Sequence, residues 1–165
     1  MPLNDRQLAN WCVNGGIFPF AHTNINQASI DLRWSGRLRT PNARRQDWND
    51  SESYKWYILE PNNVYLLDTL ETINMPRDCS GLVLLKTKMG RGATFLGHVG
   101  WVDPGFSGTL TFQLHHVFPF DRKIVKEERI VQLVLLRMDE PSQTSYKDTG
   151  NYYGQKEPTI PNSST

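Results

Sequence analysis

Residues 100–113, GWVDPGFSGTLTFQ, place a carboxylate, Asp103, at a tight turn directly before a strand. Pro104 presets φ and Gly105 accepts φ > 0, so the pair marks the turn. Beyond it the pattern has period 2. Leu110, Phe112 and Leu114 share one face, and Thr109, Thr111 and Gln113 share the other. An acid at a turn beside a strand's polar edge is how a pocket wall is built; the plain alternative is a hairpin whose Asp caps its turn. A second cluster, Lys86, Thr87, Lys88 and Arg91 with Gly90 and Gly92, follows the apolar residues 82–85. Three cations, a hydroxyl and two glycines after a strand could cradle a polyphosphate. The spacing is not that of a Walker loop and no helical pattern follows, so the plain alternative is a charged, exposed hairpin turn.

Metal chemistry has fewer candidates. Cys12 and Cys79 lie far apart and neither belongs to a Cys-x-x-Cys, so the zinc site of a nucleobase deaminase is not expected. His115 and His116 are adjacent and on a strand would point to opposite faces, a poor chelating pair. No metal held by protein ligands alone is expected.

The elements that must position these groups are mostly strands. The chain has 165 residues, the size of one domain with a real core. Asn4 or Asp5 can cap a short helix whose Leu8, Trp11 and Cys12 share a face, with Gly15 and Gly16 ending it. After that, helical periodicity disappears. Residues 29–34 and 63–67 alternate, while 81–85 and 129–136 are short apolar runs rich in β-branched residues. Such strands, punctuated by Gly, Pro, Asn and Asp, predict a mainly β fold, a distorted barrel or jelly roll. Residues 37–50 carry Arg37, Arg39, Arg44 and Arg45 and read as a long polar loop, either a basic patch for phosphates or a solvated segment. Past Pro141 the chain is polar and glycine-punctuated, yet holds Tyr146, Tyr152, Tyr153 and Gln155. A disordered tail needs no aromatics, so this segment is expected to order over something.

Charge and hydropathy exclude other classes. Lys plus Arg number 18 against 17 Asp plus Glu, so no global field draws the chain to nucleic acid or membrane. No run approaches the roughly 18 apolar residues of a membrane span. Residues 1–6 lack the apolar core of a secretory signal, and two cysteines are too few for a disulfide scaffold, so a reduced, cytoplasmic protein is expected.

In order, these pieces resemble the dCTP deaminase branch of the trimeric dUTPase-like superfamily. The resemblance runs from residues 3–6 through 26–33 to 152–155. The family pattern Ile-Asp-Pro-Gly-Phe-x-Gly-x-Leu-Thr-x-Glu stands here as VDPGFSGTLTFQ at 102–113, and Arg-Ile-x-Gln-Leu as Arg129, Ile130, Gln132 and Leu133. The resemblance implies a dUTPase-like distorted β-barrel over residues 1–141, with residues 142–165 as a tail closing over the site. It also implies a homotrimer with sites between subunits, and a pyrimidine deoxynucleoside triphosphate, dUTP or dCTP, carried with Mg²⁺ on its phosphates. By the same mapping, Lys86, Thr87, Lys88 and Arg91 fall on the phosphate-binding loop, which usually reads Arg-Ser-Ser-x-x-Arg. Asp103 falls at the sugar and water position, Phe106 on the deoxyribose, and Thr111, Phe112 and Gln113 along the base. Tyr146, Asn151 and Gln155 fall on the tail positions. The glycine-rich C-terminal motif of the dUTPases is missing, which puts the tail in the deaminase branch.

Two departures matter. One loop serine is a cation here, Lys88, and the deaminase's catalytic Glu is Gln113. Hydrolytic deamination at C4 needs a group that takes a proton from water and passes it to the ring and the leaving amine. A carboxamide cannot shuttle it. Hydrolysis at the α-phosphorus asks for an aimed water and for stabilised charge, and Asp103 can aim the water. The expected activity is therefore a Mg²⁺-dependent dUTP or dCTP diphosphatase on a deaminase-type scaffold. The alternatives are a dCTP deaminase, including a bifunctional one, and a silent nucleotide-binding regulator. A single-stranded nucleic-acid binder using Trp34, Trp48 and the 37–45 arginines runs against the near-zero net charge. Short length and Gln113 suggest a divergent, phage-borne member acting in the host cytoplasm.

Overall fold

The computed structural model describes residues 1–97 and 100–161. The end of the expected tail, residues 162–165, lies outside the described residues. Helix α1 (Asp5–Trp11) starts at Asn4. The Asn4 side chain accepts from the Gln7 N–H and the Gln7 side chain from the Asn4 N–H, both at 3.0 Å. This reciprocal cap satisfies two donors that the first turn leaves without partners. Leu8 and Cys12 are buried, and Gly15, at φ +86°, ends the segment.

The strands are β1 (Ile17–Phe18), β2 (Ile30–Arg39), β3 (Pro41–Asn42), β4 (Asp47–Trp48), β5 (Glu52–Ser53), β6 (Trp56–Leu59), β7 (Asn63–Asn74), β8 (Cys79–Leu85), β9 (Thr94–Leu96), β10 (Gly100–Val102), β11 (Ser107–His116), β12 (Arg122–Val125) and β13 (Arg129–Arg137). Two short helices, α2 (Thr87–Arg91) and α3 (Tyr146–Thr149), follow β8 and β13. One sheet runs β10-β8-β13-β2-β7-β11-β9, with β1 on β7 and β5 on β2; β6 pairs with β12 and β3 with β4. All pairings are antiparallel.

Strand β2 curls this sheet into a half-barrel. Its start pairs with β13 (Leu32 opposite Val131) and its end with β7 (Leu38 opposite Leu67). Gly36 sits at the bend with φ +94°, where a Cβ would lie 2.7 Å from the Tyr54 carbonyl oxygen. Trp34 fills the inside of the curl, fully buried, and its indole N–H donates to the Arg37 carbonyl at 2.7 Å. Leu8, Ile30, Leu32, Leu67, Leu114, Ile130 and Leu133 complete the core around it.

Two ion pairs cross from β2 to β7. Glu71, 1 % exposed at its side chain, accepts from the Arg33 backbone N–H at 2.8 Å and from Arg33 Nε at 2.7 Å. Asp68, also buried, accepts from Ser35 and Arg37. Burial pushes both carboxyls above their ordinary values, and the facing arginines only partly pull them back.

The mainly β expectation and the N-terminal helix hold, and two local expectations are corrected. Residues 37–50 are not a long loop: β2 runs to Arg39, and β3 and β4 form a hairpin. Arg37 and Arg39 looked solvated because their partners are distant in sequence, Asp68 and Pro158, while Arg44 and Arg45 are exposed in the hairpin turn. Helical structure also returns after residue 16, since the Lys86 cluster is wound into α2. A helix of that length has no room for a periodic signature. His116 is buried between Thr94 and the Phe120 carbonyl while His115 is half-buried, so the pair does point apart.

Candidate functional site

Asp103 leaves β10 into the expected turn. Gly105 adopts φ +80°, and Phe106 N–H returns to the Asp103 carbonyl at 3.1 Å. Met75 clamps this turn: its carbonyl accepts from Gly105 N–H at 3.1 Å and its N–H donates to the Phe106 carbonyl at 2.8 Å. The carboxylate is therefore carried on a rigid corner. Phe106 is buried and meets the Tyr146 ring edge-on, with centroids 5.4 Å apart. Burial raises the Tyr146 phenol above its ordinary value, with the Asp103 charge a smaller contribution in the same direction. The Tyr146 hydroxyl accepts from Tyr152 N–H at 3.3 Å.

Residues 142–161 pack back onto this corner and onto β11. Tyr146 N–H donates to the Pro104 carbonyl at 2.9 Å. Further on, Thr109 N–H donates to the Gln155 carbonyl at 2.9 Å, and Gln155 Nε2 donates to the Thr109 carbonyl at 2.6 Å. Thr159 N–H donates to Thr111 Oγ1 at 3.1 Å. Gly108 makes the approach possible, because a Cβ there would lie 3.0 Å from both Gln155 N and O. The tail thus occupies the part of the β11 edge that β9 leaves free, since β9 pairs only with residues 114–116.

Between the corner, β11 and the tail lies a cleft of about 420 Å³, inside the roughly 300–1,000 Å³ of small-molecule sites. Of the residues the sequence singles out, the cleft brings together Asp103, Phe106, Thr111, Phe112, Gln113, Tyr146 and Gln155. Leu110 through Gln113 line it consecutively, so the cleft follows the edge of β11 and reaches its main chain. Asp103 is the one carboxylate among the described lining residues. Trp48, Trp101, Tyr152 and Thr159 also line the cleft, and sequence reasoning missed them as site residues. Trp101, two residues before Asp103, carried a usable signal. Trp48 comes from the hairpin, which no local pattern announced.

The Gln113 amide lies against Gly97, where a Cβ would fall 2.1 Å from Gln113 Oε1, and Gly97 N–H donates to the Gln113 carbonyl at 2.9 Å. The contact is the far end of a flexible side chain, so Gly97→Ala moves the amide rather than the fold. If the cleft takes the nucleotide that the resemblance implies, Gly97→Ala is expected to weaken its binding about tenfold, equivalent to about 1.4 kcal/mol, with an unchanged melting temperature. Calorimetry beside thermal unfolding checks this; unchanged affinity would take Gln113 out of ligand recognition.

The cation cluster is elsewhere. Lys86, Thr87, Lys88, Arg91 and the tail's Asn151 do not line the cleft. Lys86 Nζ binds Asp31 at 2.7 Å, and Lys88 reaches Glu128 at 3.3 Å with its side chain 76 % exposed. Thr87 and Arg91 are exposed. Val102 pairs with Gly81, so Asp103 leaves at the start of β8 while the cluster leaves at its end. That separates them by roughly 15–20 Å at a strand rise of about 3.3 Å per residue. Among the described residues no group of three or more His, Cys, Asp or Glu lies close enough to hold a metal ion.

With this geometry in view, the comparisons identify the class. Residues 3–138 match the dCTP deaminase-like family, and the chain belongs to that family. It is 32 % identical over 178 residues to "dCTP deaminase, dUMP-forming" of Corynebacterium kroppenstedtii, covering 96 % of this chain and 95 % of that one. A dCTP deaminase of Thermococcus kodakarensis is 31 % identical over 151 residues, covering 90 % and 93 %. In three dimensions the fold is similar to the 2′-deoxycytidine 5′-triphosphate deaminase of Agrobacterium tumefaciens, with a TM-score of 0.71 and 17 % identity over 84 % of this chain. This chain spans about half of that protein, 49 % of its length.

Proposed function

We propose that this chain is an enzyme of pyrimidine deoxynucleotide metabolism that takes dCTP or dUTP into the cleft and hydrolyses its α–β phosphoanhydride, releasing pyrophosphate. The observation that carries this is the chemistry of the described cleft wall: one carboxylate, Asp103, and an amide, Gln113, where the family pattern has Glu. Asp103, on its clamped corner, accepts a proton from the water that attacks the α-phosphorus in this reading. Phe106 and Tyr146 form an apolar shelf for the deoxyribose. The β11 edge and the Gln113 amide, which offers both a donor and an acceptor, meet the base.

The phosphates need cations that the described residues lining this copy's cleft do not offer. The separation of α2 from Asp103 supports a homotrimer in which a neighbouring copy's Lys88 and Arg91, with Thr87, reach the triphosphate. Lys86, tied to Asp31, would position that loop. A magnesium ion would travel on the phosphates and neutralise their charge, with Asp103, the one carboxylate among the described lining residues, available to it. One or two carboxylates beside substrate phosphates is the usual magnesium environment, so the donor set fits.

A second reading, dCTP deamination, fits the comparisons better, because the relatives are named for it. It requires the proton path that Gln113 interrupts. Gln113→Glu separates the two. It is expected to raise ammonia release from dCTP, by up to the about 10²–10⁴ that one acid–base group supplies. A variant no faster than wild type, with dCTP bound equally well by calorimetry, would remove residue 113 from the proton path.

A further inference from the structure

We propose that Arg39 is a positioning residue that ties two walls of the cleft together and so sets nucleotide affinity; this rests on the nucleotide reading of the cleft above. Arg39 ends β2, and its main chain pairs with Leu66, itself a lining residue. Its guanidinium, 14 % exposed, reaches two separate segments. Nε donates to the Pro158 carbonyl at 2.7 Å, and one terminal nitrogen donates to the Asn49 carbonyl at 3.1 Å. The other terminal nitrogen pairs with Glu157 at 3.4 Å, at the surface.

Each carbonyl is one residue from the cleft. Pro158 precedes Thr159, which is bonded to Thr111 and lines the cleft. Asn49 follows Trp48, the hairpin's contribution to the lining. Asn49 is itself fixed, by its N–H to the Thr40 carbonyl, its Nδ2 to Thr40 Oγ1 and its Oδ1 from Asn42, each at 2.8 Å. Among the described residues, no other hydrogen bond joins the tail to the hairpin. The two carbonyl bonds are charge-assisted and sheltered, whereas the Glu157 pair is exposed and contributes little. A planar fork with several fixed donors can hold two carbonyls of different segments at once; an ammonium, a point donor on a flexible stem, cannot hold both in this geometry. Loss of Arg39 should therefore free both segments without emptying the core.

The test uses the full chain with Arg39→Ala and Arg39→Lys. Without ligand, hydrogen exchange at the Thr109 and Thr159 amides, whose acceptors are Gln155 and Thr111, is expected to quicken about tenfold or more. The Val131 and Leu133 amides of β13 should keep their protection. For dCTP or dUTP, Kd and KM are expected to rise about tenfold with a smaller change in kcat, and Lys is not expected to restore them. Unchanged exchange at Thr109 and Thr159 would overturn the proposal. So would equal loss of protection in β13, which marks a merely structural role, or faster tail exchange with unchanged affinity. If the wild-type chain binds neither nucleotide, the reading of the cleft fails with it, while the exchange data still decide whether Arg39 holds the tail.

Discussion

Asp103→Asn is expected to lower pyrophosphate release by about 10²–10⁴, the contribution of one acid–base group, while leaving nucleotide affinity nearly unchanged. The carboxamide is isosteric, and the contacts that shape the corner survive it. They are main-chain bonds from Phe106 to residue 103 and between Met75 and residues 105 and 106. On the proposed reading, what is lost is the carboxylate that accepts the proton and is available to magnesium, while the phosphates, sugar and base keep their contacts. No other carboxylate among the described lining residues can take over, because the remaining polar side chains of the cleft are hydroxyls, amides and indoles. Steady-state turnover beside calorimetric binding measures the two quantities separately. Retained turnover with normal affinity would refute the role assigned to Asp103.

The largest expected effect on stability lies at Arg33. Arg33→Ala leaves Glu71, 1 % exposed at its side chain, buried without its cation. Removing one partner of a buried pair costs about 3–5 kcal/mol. The loss should depend on pH in a defined direction. Burial holds the Glu71 carboxyl above its ordinary 4.5 in the folded chain, and Arg33 is the main influence pulling it down. A carboxyl raised on folding contributes stability that is fully present below its unfolded value and is lost as pH rises through its folded value. Without Arg33 the folded value moves further up and that loss deepens. The gap in unfolding free energy between wild type and Arg33→Ala should therefore widen as pH rises from about 5 to about 8. Adding Glu71→Gln, which removes the charge and keeps an acceptor for the backbone N–H of residue 33, should flatten the dependence. Urea unfolding across that range provides the measurement. A constant gap would mean that Arg33 acts through packing rather than charge.

The parts of the site legible in the sequence are those whose signal is local. The alternation from Leu110 to Leu114 lies within one strand, and the turn at Pro104 and Gly105 needs no distant partner. Both are present, and seven of the residues they and the family pattern point to share one cleft. What was hidden depends on contacts between distant segments. Arg37 and Arg39 read as loop charges because Asp68 and Pro158, which desolvate them, lie 31 and 119 residues away. Lys86 read as a free cation because Asp31 is 55 residues away. The docking of the tail turns on a missing side chain at Gly108, and a glycine in a strand signals only that something comes close. The cluster at Lys86 to Arg91 was legible as a group of charges. Its distance from Asp103 was not, because that follows from the register of β10 on β8.

The most direct measurement gives purified protein and magnesium dUTP and dCTP separately, and quantifies pyrophosphate and ammonia from each. Pyrophosphate without ammonia is the expected result, with Asp103 at the attacking water and Gln113 unable to pass a proton to the base. Ammonia from dCTP at an enzymatic rate would contradict it, and so would the absence of both products.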